Sequence, residues 1–289
     1  MNDAAVCVVG SLNADRYLGL TRLPEPGETI IGEALGLYPG GKGLNQAVAA
    51  ARCGAATRMC GAIGDDAEGR FLVGAMREAG VDDSAVAVQA GPSGIAHIMS
   101  LAAGENSIIV IPGANARVDA GAATRGIAGA RVVLVQLEIN IGAAAEALEA
   151  GRAAGATTVL NAAPAHEAVL GLLPNVDILI VNDSELAMLG GLETLAPLVT
   201  VVHTQGGDGL TVHPLGAESF SVGAFPIEVV DTTGAGDAFC GGFVAALAAG
   251  ESLEAAAKRG AAAGAIVACH RGAQTEALSA EVVSELVGF

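Results

Sequence analysis

Asp231-Thr232-Thr233-Gly234-Ala235-Gly236-Asp237 runs straight into the apolar stretch Ala238-Phe239-Cys240-Gly241-Gly242-Phe243-Val244-Ala245-Ala246-Leu247, and together they read as a small-residue turn opening a buried helix. The first N–H groups of a helix have no intrahelical acceptor and lie at the positive end of its dipole, so small residues there leave an anion site open. An acid in a first turn is ordinarily a dipole match and nothing more. Here Gly234 and Gly236 remove side chains where a ligand would approach, and Asp231 lies in the same turn. Asp237 is therefore a candidate functional carboxylate inside an anion-binding tip.

Upstream of this helix, short β-branched runs alternate with Ala-rich helical patterns, the signature of parallel strands joined by crossover helices. The runs predict buried strands over Ala5-Val9, Thr57-Ile63, Arg131-Leu137, Thr157-Leu160, Asp177-Val181 and Val199-His203. Helices are predicted over Leu44-Cys53, Asp66-Ala79, Ile141-Ala154, Ala235-Ala249 and Leu253-Ala268, the first four stopped by Gly54, Gly80, Gly155 and Gly250. No solenoid repeat or Pro/Ser-rich linker divides the chain.

In an open parallel sheet, ligands bind beyond the carboxyl ends of the strands. Five predicted ends carry polar residues: Asn13, Glu138, Asn161, Asn182 and Thr204. Any one of them could be a helix N-cap, but five together favour a lined cleft. Two stretches break the strand–helix rhythm, about 15–37 and 94–111. In the second, Ile95-Leu101 and Ser107-Ile111 flank a turn at Ala103-Gly104-Glu105-Asn106, which predicts a hairpin outside the main sheet. Apolar residues at both parities need cover on both faces, so the expectation is a lid over the cleft that also meets a partner subunit.

The 289 residues are 52% hydrophobic, enough for one large α/β domain. A net charge of −17, with Lys42 and Lys258 the sole lysines, argues against a nucleic-acid surface. A phosphate site built from backbone amides survives that charge. Cys7, Cys53, Cys60, Cys240 and Cys269 are scattered in apolar stretches with no Cys-x-x-Cys pair, which fits core thiols in a reducing compartment. No basic leader precedes Ala5 and no apolar run reaches membrane-span length, so a cytoplasmic location and no membrane partner are expected.

A second glycine-rich segment, Gly40-Gly41-Lys42-Gly43-Leu44-Asn45-Gln46-Ala47, leads into the first long helix. Gly36-x4-Gly41-Lys42 matches the opening of a P-loop, but Gly43 stands where that motif needs Ser or Thr to hold magnesium. Gly10-Ser11-Leu12-Asn13 after the first strand likewise lacks the Gly-x-Gly-x-x-Gly of dinucleotide folds. Gly40–Ala47 and Asp231–Asp237 together resemble the two signatures of the ribokinase, or PfkB, family of carbohydrate kinases. Asn13-Ala14-Asp15, Gly113-Ala114-Asn115, Gln136-Leu137-Glu138, Asn161–Ala165, Asn182–Glu185 and Arg271-Gly272-Ala273-Gln274 extend the resemblance over nearly the whole chain.

The resemblance implies a three-layer α/β sandwich, a central mostly parallel sheet flanked by helices, with a small β-sheet lid on a single domain over 1–289. It implies ATP-dependent phosphorylation of a sugar, with the 5-hydroxyl of D-ribose as the first expectation. Fructose, a deoxysugar, a nucleoside or pseudouridine remains as an alternative acceptor, and a catalytically silent sensor is the reading from another class. Asp237 would be the base, with the N–H groups of Gly234, Ala235 and Gly236 holding the migrating phosphoryl group. Asn13, Asp15, Gly41, Lys42, Asn45 and Glu138 would bind the sugar. Thr204, Gly206, Gly207 and Gly209 would line the nucleotide path, with Asn182 and Glu185 placing Mg2+ through water. The run Gly260–Gly264 either leaves room for adenine or serves helix packing.

The family also implies an activating monovalent cation, K+, held by Asp231, Thr233, Val267, His270 and Gly272, while the partner subunit expected from the two-faced apolar hairpin makes a homodimer through the lid the expected assembly. Three features depart from the family pattern. Thr275 and Glu276 replace a common Pro-Ser, which brings Glu276 towards the cation set; Gly191–Val202 is short for the usual helix; and Asp208 is acidic where a basic residue is frequent.

Overall fold

The computed structural model describes residues 5–101 and 106–288. Its strands are β1 Val6–Val9, β2 Asn13–Leu20, β3 Glu33–Gly40, β4 Thr57–Gly64, β5 Asp82–Gln89, β6 Gly94–Leu101, β7 Asn106–Ile111, β8 Val132–Gln136, β9 Thr157–Asn161, β10 Ile178–Asn182, β11 Thr200–Thr204, β12 Leu210–His213 and β13 Phe220–Val222. The helices are α1 Lys42–Arg52, α2 Ala67–Glu78, α3 Ala120–Ile127, α4 Ile141–Ala153, α5 Val169–Leu172, α6 Asp183–Met188, α7 Leu192–Leu195, α8 Ala235–Ala248, α9 Leu253–Ala268 and α10 Ala280–Val287.

Nine strands form one sheet in the order β13-β12-β11-β10-β9-β8-β1-β4-β5. The seven from β11 to β5 are parallel, and β12 and β13 close one edge antiparallel. The alternation of the strands explains why both faces are covered. Cys7, Val9, Val133 and Val135 point into one core with Ala143, Ala147 and Leu148 of α4. Val6, Val8, Val132 and Leu134 point into the other with Leu44 and Val48 of α1 and Phe239 and Phe243 of α8. Continuous apolar strands such as Val132–Gln136, buried at every position, are the sequence form of a sheet sandwiched between helix layers.

Every strand and helix predicted from periodicity is present, with ends displaced by a residue or two. Gly54, Gly80, Gly155 and Gly250 follow their helices at φ values of 92°, 74°, 75° and 84°, left-handed positions that glycine takes without a Cβ clash. α1 starts two residues early, at Lys42, because Gly41 at φ 87° turns the chain directly into it. The short 191–202 segment holds one turn of helix, α7.

β2, β3, β6 and β7 form a separate four-stranded sheet in the order β3-β2-β6-β7. The expected hairpin is there, with Ile95 opposite Ile111 and His97 opposite Ile109. Residues 102–105, which hold most of its expected turn, lie outside the described residues. Ala96 and Ile98 are buried, whereas Ile108, Ile109, Val110 and Ile111 are all exposed, so β7 presents apolar side chains at both parities. An Arg16–Glu68 ion pair ties β2 to α2.

Candidate active site

The sheet reverses its winding at β1. The chain moves from β1 to β4 and β5 on one side and then crosses to β8 on the other, and such a switch point opens a crevice at the strand ends. Ser11 follows β1 and Glu138 follows β8. Ser11 Oγ donates to Glu138 Oε2 at 2.6 Å, and the Lys42 N–H donates to the same oxygen at 3.1 Å. Gly43 must lack a side chain, because a Cβ there would lie 2.6 Å from the Ser11 nitrogen. Two residues beyond Ser11, buried Asn13 accepts from Asn115 Nδ2 at 2.8 Å, and Asn115 also pairs with both backbone groups of Leu12. These bonds orient the Asn13 amide where the chain leaves the main sheet for the four-stranded one.

Asp237 lies in the first turn of α8, buried beneath α1. Asn45 Nδ2 donates to its Oδ2 at 3.0 Å and Gln46 Nε2 to its Oδ1 at 2.9 Å. Gln46 Nε2 also reaches Asn161 Oδ1 at 3.1 Å, while Gln274 Nε2 donates to Asn45 Oδ1 at 2.9 Å. The two helices approach closely enough for this because a Cβ on Gly241 would strike Ala49 and Ala50 of α1. Asp237 was anticipated from the sequence; Gln46, Ser11, Asn115 and Gln274 were not assigned a role there. The signal available for Gln46 in the sequence was an amide side chain leading the apolar run Ala47-Val48-Ala49-Ala50 of a predicted helix.

At the tip of α8, Gly234 is the N-cap in the left-handed region. A Cβ on it would sit 2.5 Å from Ala273 Cα, and its φ of 75° strains any other residue. Gly236, by contrast, faces open space. The three expected phosphoryl-holding amides are not equivalent. The Ala235 N–H donates to the Thr232 carbonyl at 3.1 Å within the turn, which leaves the N–H groups of Gly236 and Asp237 as the first-turn donors open to a ligand. Gly234→Ala is expected to lower kcat by about 100-fold or more, since the amide tip is displaced by ångströms against the 272–274 loop. Gly236→Ala at an unhindered φ should keep the fold and raise KM for nucleotide; equal kinetics of both variants to wild type would contradict this geometry.

The charges of this crevice are mutually dependent. Burial pushes the Asp237 carboxyl up, against the opposing pull of Lys42 and the donors Asn45 and Gln46. Burial alone would lower Lys42, but Asp237, Glu138 and Glu185 outweigh it and hold the ammonium protonated. Asp15 is pushed up to about 7, first by burial and then by Glu138 and Asp237, and its Oδ1 has no hydrogen-bond partner. A buried oxygen without a donor, beside Asn13 and Glu138, is what a polyhydroxyl ligand would satisfy.

On the other side of Asp237 a cleft of about 160 Å³ is lined by Lys42, Asn161, Asn182, Glu185, Thr204, Gly234 and Gly236. Asn182 caps α6 by accepting the Glu185 N–H at 2.9 Å, and Glu185 Oε2 accepts the Asn182 N–H at 2.9 Å in return. The local helix cap and the cleft position coexist, with Glu185 Oε1 left for other partners among the described residues. Gly206 and Gly207 form an exposed turn with Asp208, while Gly209, at φ 92°, lets β12 pass close to the Val222 carbonyl. None of these three glycines lines the cleft. Gly260, Ala262 and Ala263 pack α9 on α8, where a Cβ on Gly260 would meet Phe239, so packing explains the small-residue run.

The expected cation residues also converge. Asp231 Oδ1 accepts the Thr233 N–H and hydroxyl at 2.9 and 2.6 Å, and Oδ2 accepts the Gly272 N–H at 2.9 Å. Burial opposes these bonds, but with Arg271 they hold the carboxyl below its usual range. The Asp231 N–H bonds to the Ala268 carbonyl, bringing in the end of α9, where the Val267 carbonyl accepts the His270 N–H at 2.9 Å. Glu276 is exposed on a cavity of about 610 Å³ that Asp231, Thr233 and Gly272 share with Asp15, Tyr17 and Tyr38 of the four-stranded sheet. This larger cavity lies beside the Asp237 crevice and meets it at Asp15. No set of three or more His, Cys, Asp or Glu side chains among the described residues could bind a metal on its own, so a cation here would draw on carbonyl and water oxygens.

The model of the pfkB family of carbohydrate kinases matches residues 3–280. The chain belongs to that family. A ribokinase of Bacillus subtilis is 34% identical over 98% of this chain and 99% of its own length, and one of Haemophilus influenzae is 34% identical over 93% of both. Among solved structures, that of Arabidopsis thaliana ribokinase complexed with ribose and ATP superposes with a TM-score of 0.88 at 30% identity, covering 99% of each chain. The ribokinase-like fold, a large mostly parallel sheet flanked by helices with a smaller separate sheet, is thus the fold of this chain. Among the described residues, no helix is long and apolar enough to cross a membrane.

Proposed function

We propose that this kinase transfers the γ-phosphoryl group of ATP to the primary 5-hydroxyl of D-ribose. The observation that carries the reading is the position of Asp237, which stands between two sets of polar groups. Asn13, Asp15, Asn45 and Glu138 lie on the crevice side, Asn182, Glu185 and Thr204 lie in the cleft with the α8 amide tip, and Lys42 borders both, its N–H on Glu138 and its side chain in the cleft. An acceptor alcohol held by the first set meets Asp237 in line with a phosphoryl group held by the second. Phosphoryl transfer is largely dissociative, so Asp237 needs position more than basicity: it orients the hydroxyl and receives its proton late. The developing charge on the migrating group falls to the Gly236 and Asp237 N–H groups, with the Lys42 ammonium nearby.

Mg2+ would enter with ATP beside Asn182 and Glu185, and would screen the phosphate charge there. Its preference for retaining water suits a site with one free carboxylate oxygen. The sugar selectivity rests on the Asp15 and Glu138 carboxylates and the Asn13 and Asn45 amides, which suit paired hydroxyls. A coupled ADP-release assay across D-ribose, 2-deoxyribose, fructose, adenosine and pseudouridine tests the assignment. D-ribose should give the highest kcat/KM, and a clear preference for another acceptor, or turnover of none, would reject it.

The cation set is proposed for K+, with Glu276 at its rim. Stimulation by K+ over a K+-free buffer is the expected outcome, and equal rates in the two would dismiss the site. The four-stranded sheet is proposed as a lid over the crevice on a single catalytic domain, and its exposed Ile108–Ile111, Leu35 and Leu37 as the surface by which two copies pair. Sedimentation should then give a dimer that Ile109→Glu, Ile111→Lys dissociates, and a wild-type monomer would overturn that reading. The free, mostly buried thiols accord with a cytoplasmic enzyme.

A further inference from the structure

Resting on the kinase reading above, we infer that Gln46 is a positioning residue for the reaction: its side-chain amide sets the plane of the Asp237 carboxylate. Gln46 is wholly buried in the interface between α1 and α8. Its Nε2 has two acceptors, Asp237 Oδ1 at 2.9 Å and Asn161 Oδ1 at 3.1 Å. A flipped amide would turn Oε1 towards both of these oxygens and place three acceptors together, so one orientation is imposed. In that orientation Oε1 is left without a partner, although it is buried. A buried oxygen without a donor destabilises the fold. Packing alone does not account for a glutamine here, since an apolar residue of similar length would fill the space without an orphan acceptor.

The gain lies in the geometry around Asp237. Asn45 holds Oδ2 from one side and Gln46 holds Oδ1 from the other, so a carboxylate that could rotate about its Cβ–Cγ bond is gripped at both ends. Each oxygen keeps a lone pair in the carboxylate plane, and that plane decides whether an acceptor hydroxyl meets a lone pair or the face of the group. Asn45 also faces the crevice and is braced by Gln274. Gln46 is braced instead by Asn161 at the end of β9, which couples the carboxylate to the sheet. The charged and titratable groups that bear on Asp237 are Lys42 from α1, Glu138 after β8, Asp15 from β2 and Cys240 from α8, and Glu185 of α6 acts through Lys42.

Two variants in the full chain test the inference. Gln46→Ala should lower kcat on the order of 100-fold, while KM for the sugar and the affinity for ATP stay within about twofold, because the grip on the base is lost and the binding groups are not. A loss confined to KM or to thermal stability would overturn it. Gln46→Glu is nearly isosteric and guards against a misfolded alanine variant. Its carboxyl can donate to Asp237 only while protonated, so its kcat should approach wild type at the acid end and fall steeply as pH rises, where two carboxylates face each other. A kcat–pH profile superimposable on wild type would also overturn it. Wild type measured alongside separates the two claims. A wild type that phosphorylates no sugar removes the kinase reading and this inference together, whereas an active wild type with unaltered variants removes the inference alone.

Discussion

Asp237→Asn is expected to bind ATP normally and to lose turnover by about 10³-fold or more. Two effects combine. The amide cannot take the hydroxyl proton, and it presents only one acceptor oxygen to a site built with two donors, Asn45 Nδ2 and Gln46 Nε2. One end of the clamp therefore faces an N–H group, and the side chain must twist away. Asp237 itself borders the nucleotide cleft, but Lys42, Asn182, Glu185, Thr204 and the glycines of the α8 tip, which line it too, are left in place by the substitution. Isothermal titration with a non-hydrolysable ATP analogue, run beside the steady-state assay, distinguishes loss of chemistry from loss of binding. A variant with near-wild-type kcat would remove Asp237 from the mechanism.

Asp15→Asn is expected to gain stability while losing its sugar, and the gain should depend on pH. In the unfolded chain this carboxyl ionises near 3.8; in the fold its pKa is raised to about 7 by burial, Glu138 and Asp237. The folded state therefore holds the proton more tightly between those limits. Stability contributed by protonated Asp15 is fully present below about 3.8 and is lost as pH rises through about 7. The ceiling on that loss is about 4 kcal/mol, from roughly three pKa units, with water in the crevice reducing it. The ligand-free variant should accordingly melt above wild type at pH 8.5 and close to it at pH 4, while KM for the sugar rises by about 100-fold. Identical melting differences at the two pH values would show that Asp15 is not strained by its surroundings. The charge that destabilises the empty crevice is the one that a sugar hydroxyl would satisfy, so binding and folding compete at this residue.

The legible part of this fold was the part encoded by local pattern. Val6–Val9 and Val132–Gln136 are apolar throughout because both faces of the sheet are covered, and the helices end where glycine takes a left-handed φ. Leu210–His213 and Phe220–Val222 escaped notice because strands of four and three residues carry too little periodicity. Asp82–Gln89 opens on Asp82-Asp83-Ser84, which reads as a turn until β4 is there to pair with it. Asp237, Lys42, Asn45 and Glu138, which the structure brings together, stood out in the sequence because they sit in glycine-rich turns or just past strand ends. Ser11, Gln46 and Gln274 did not, because their partners lie 127, 191 and 229 residues away along the chain.

From the sequence alone came the helix tip at Gly234–Asp237, the second glycine-rich turn at Gly40–Gly43, the strand–helix alternation and a small sheet with too much apolar surface. Their physical basis is local: backbone conformations open to glycine, and side-chain periods of two and 3.6 residues. The tertiary structure alone decided that α1 lies against α8 at the distance Gly241 permits, and so which amides confront Asp237. It also decided that Glu138 and Ser11 meet at the reversal of the sheet, and that the Asp15 carboxyl is buried among like charges. Hydrogen bonding and charge depend on distances of a few ångströms in space, and packing brings such groups together without regard to their separation in the chain.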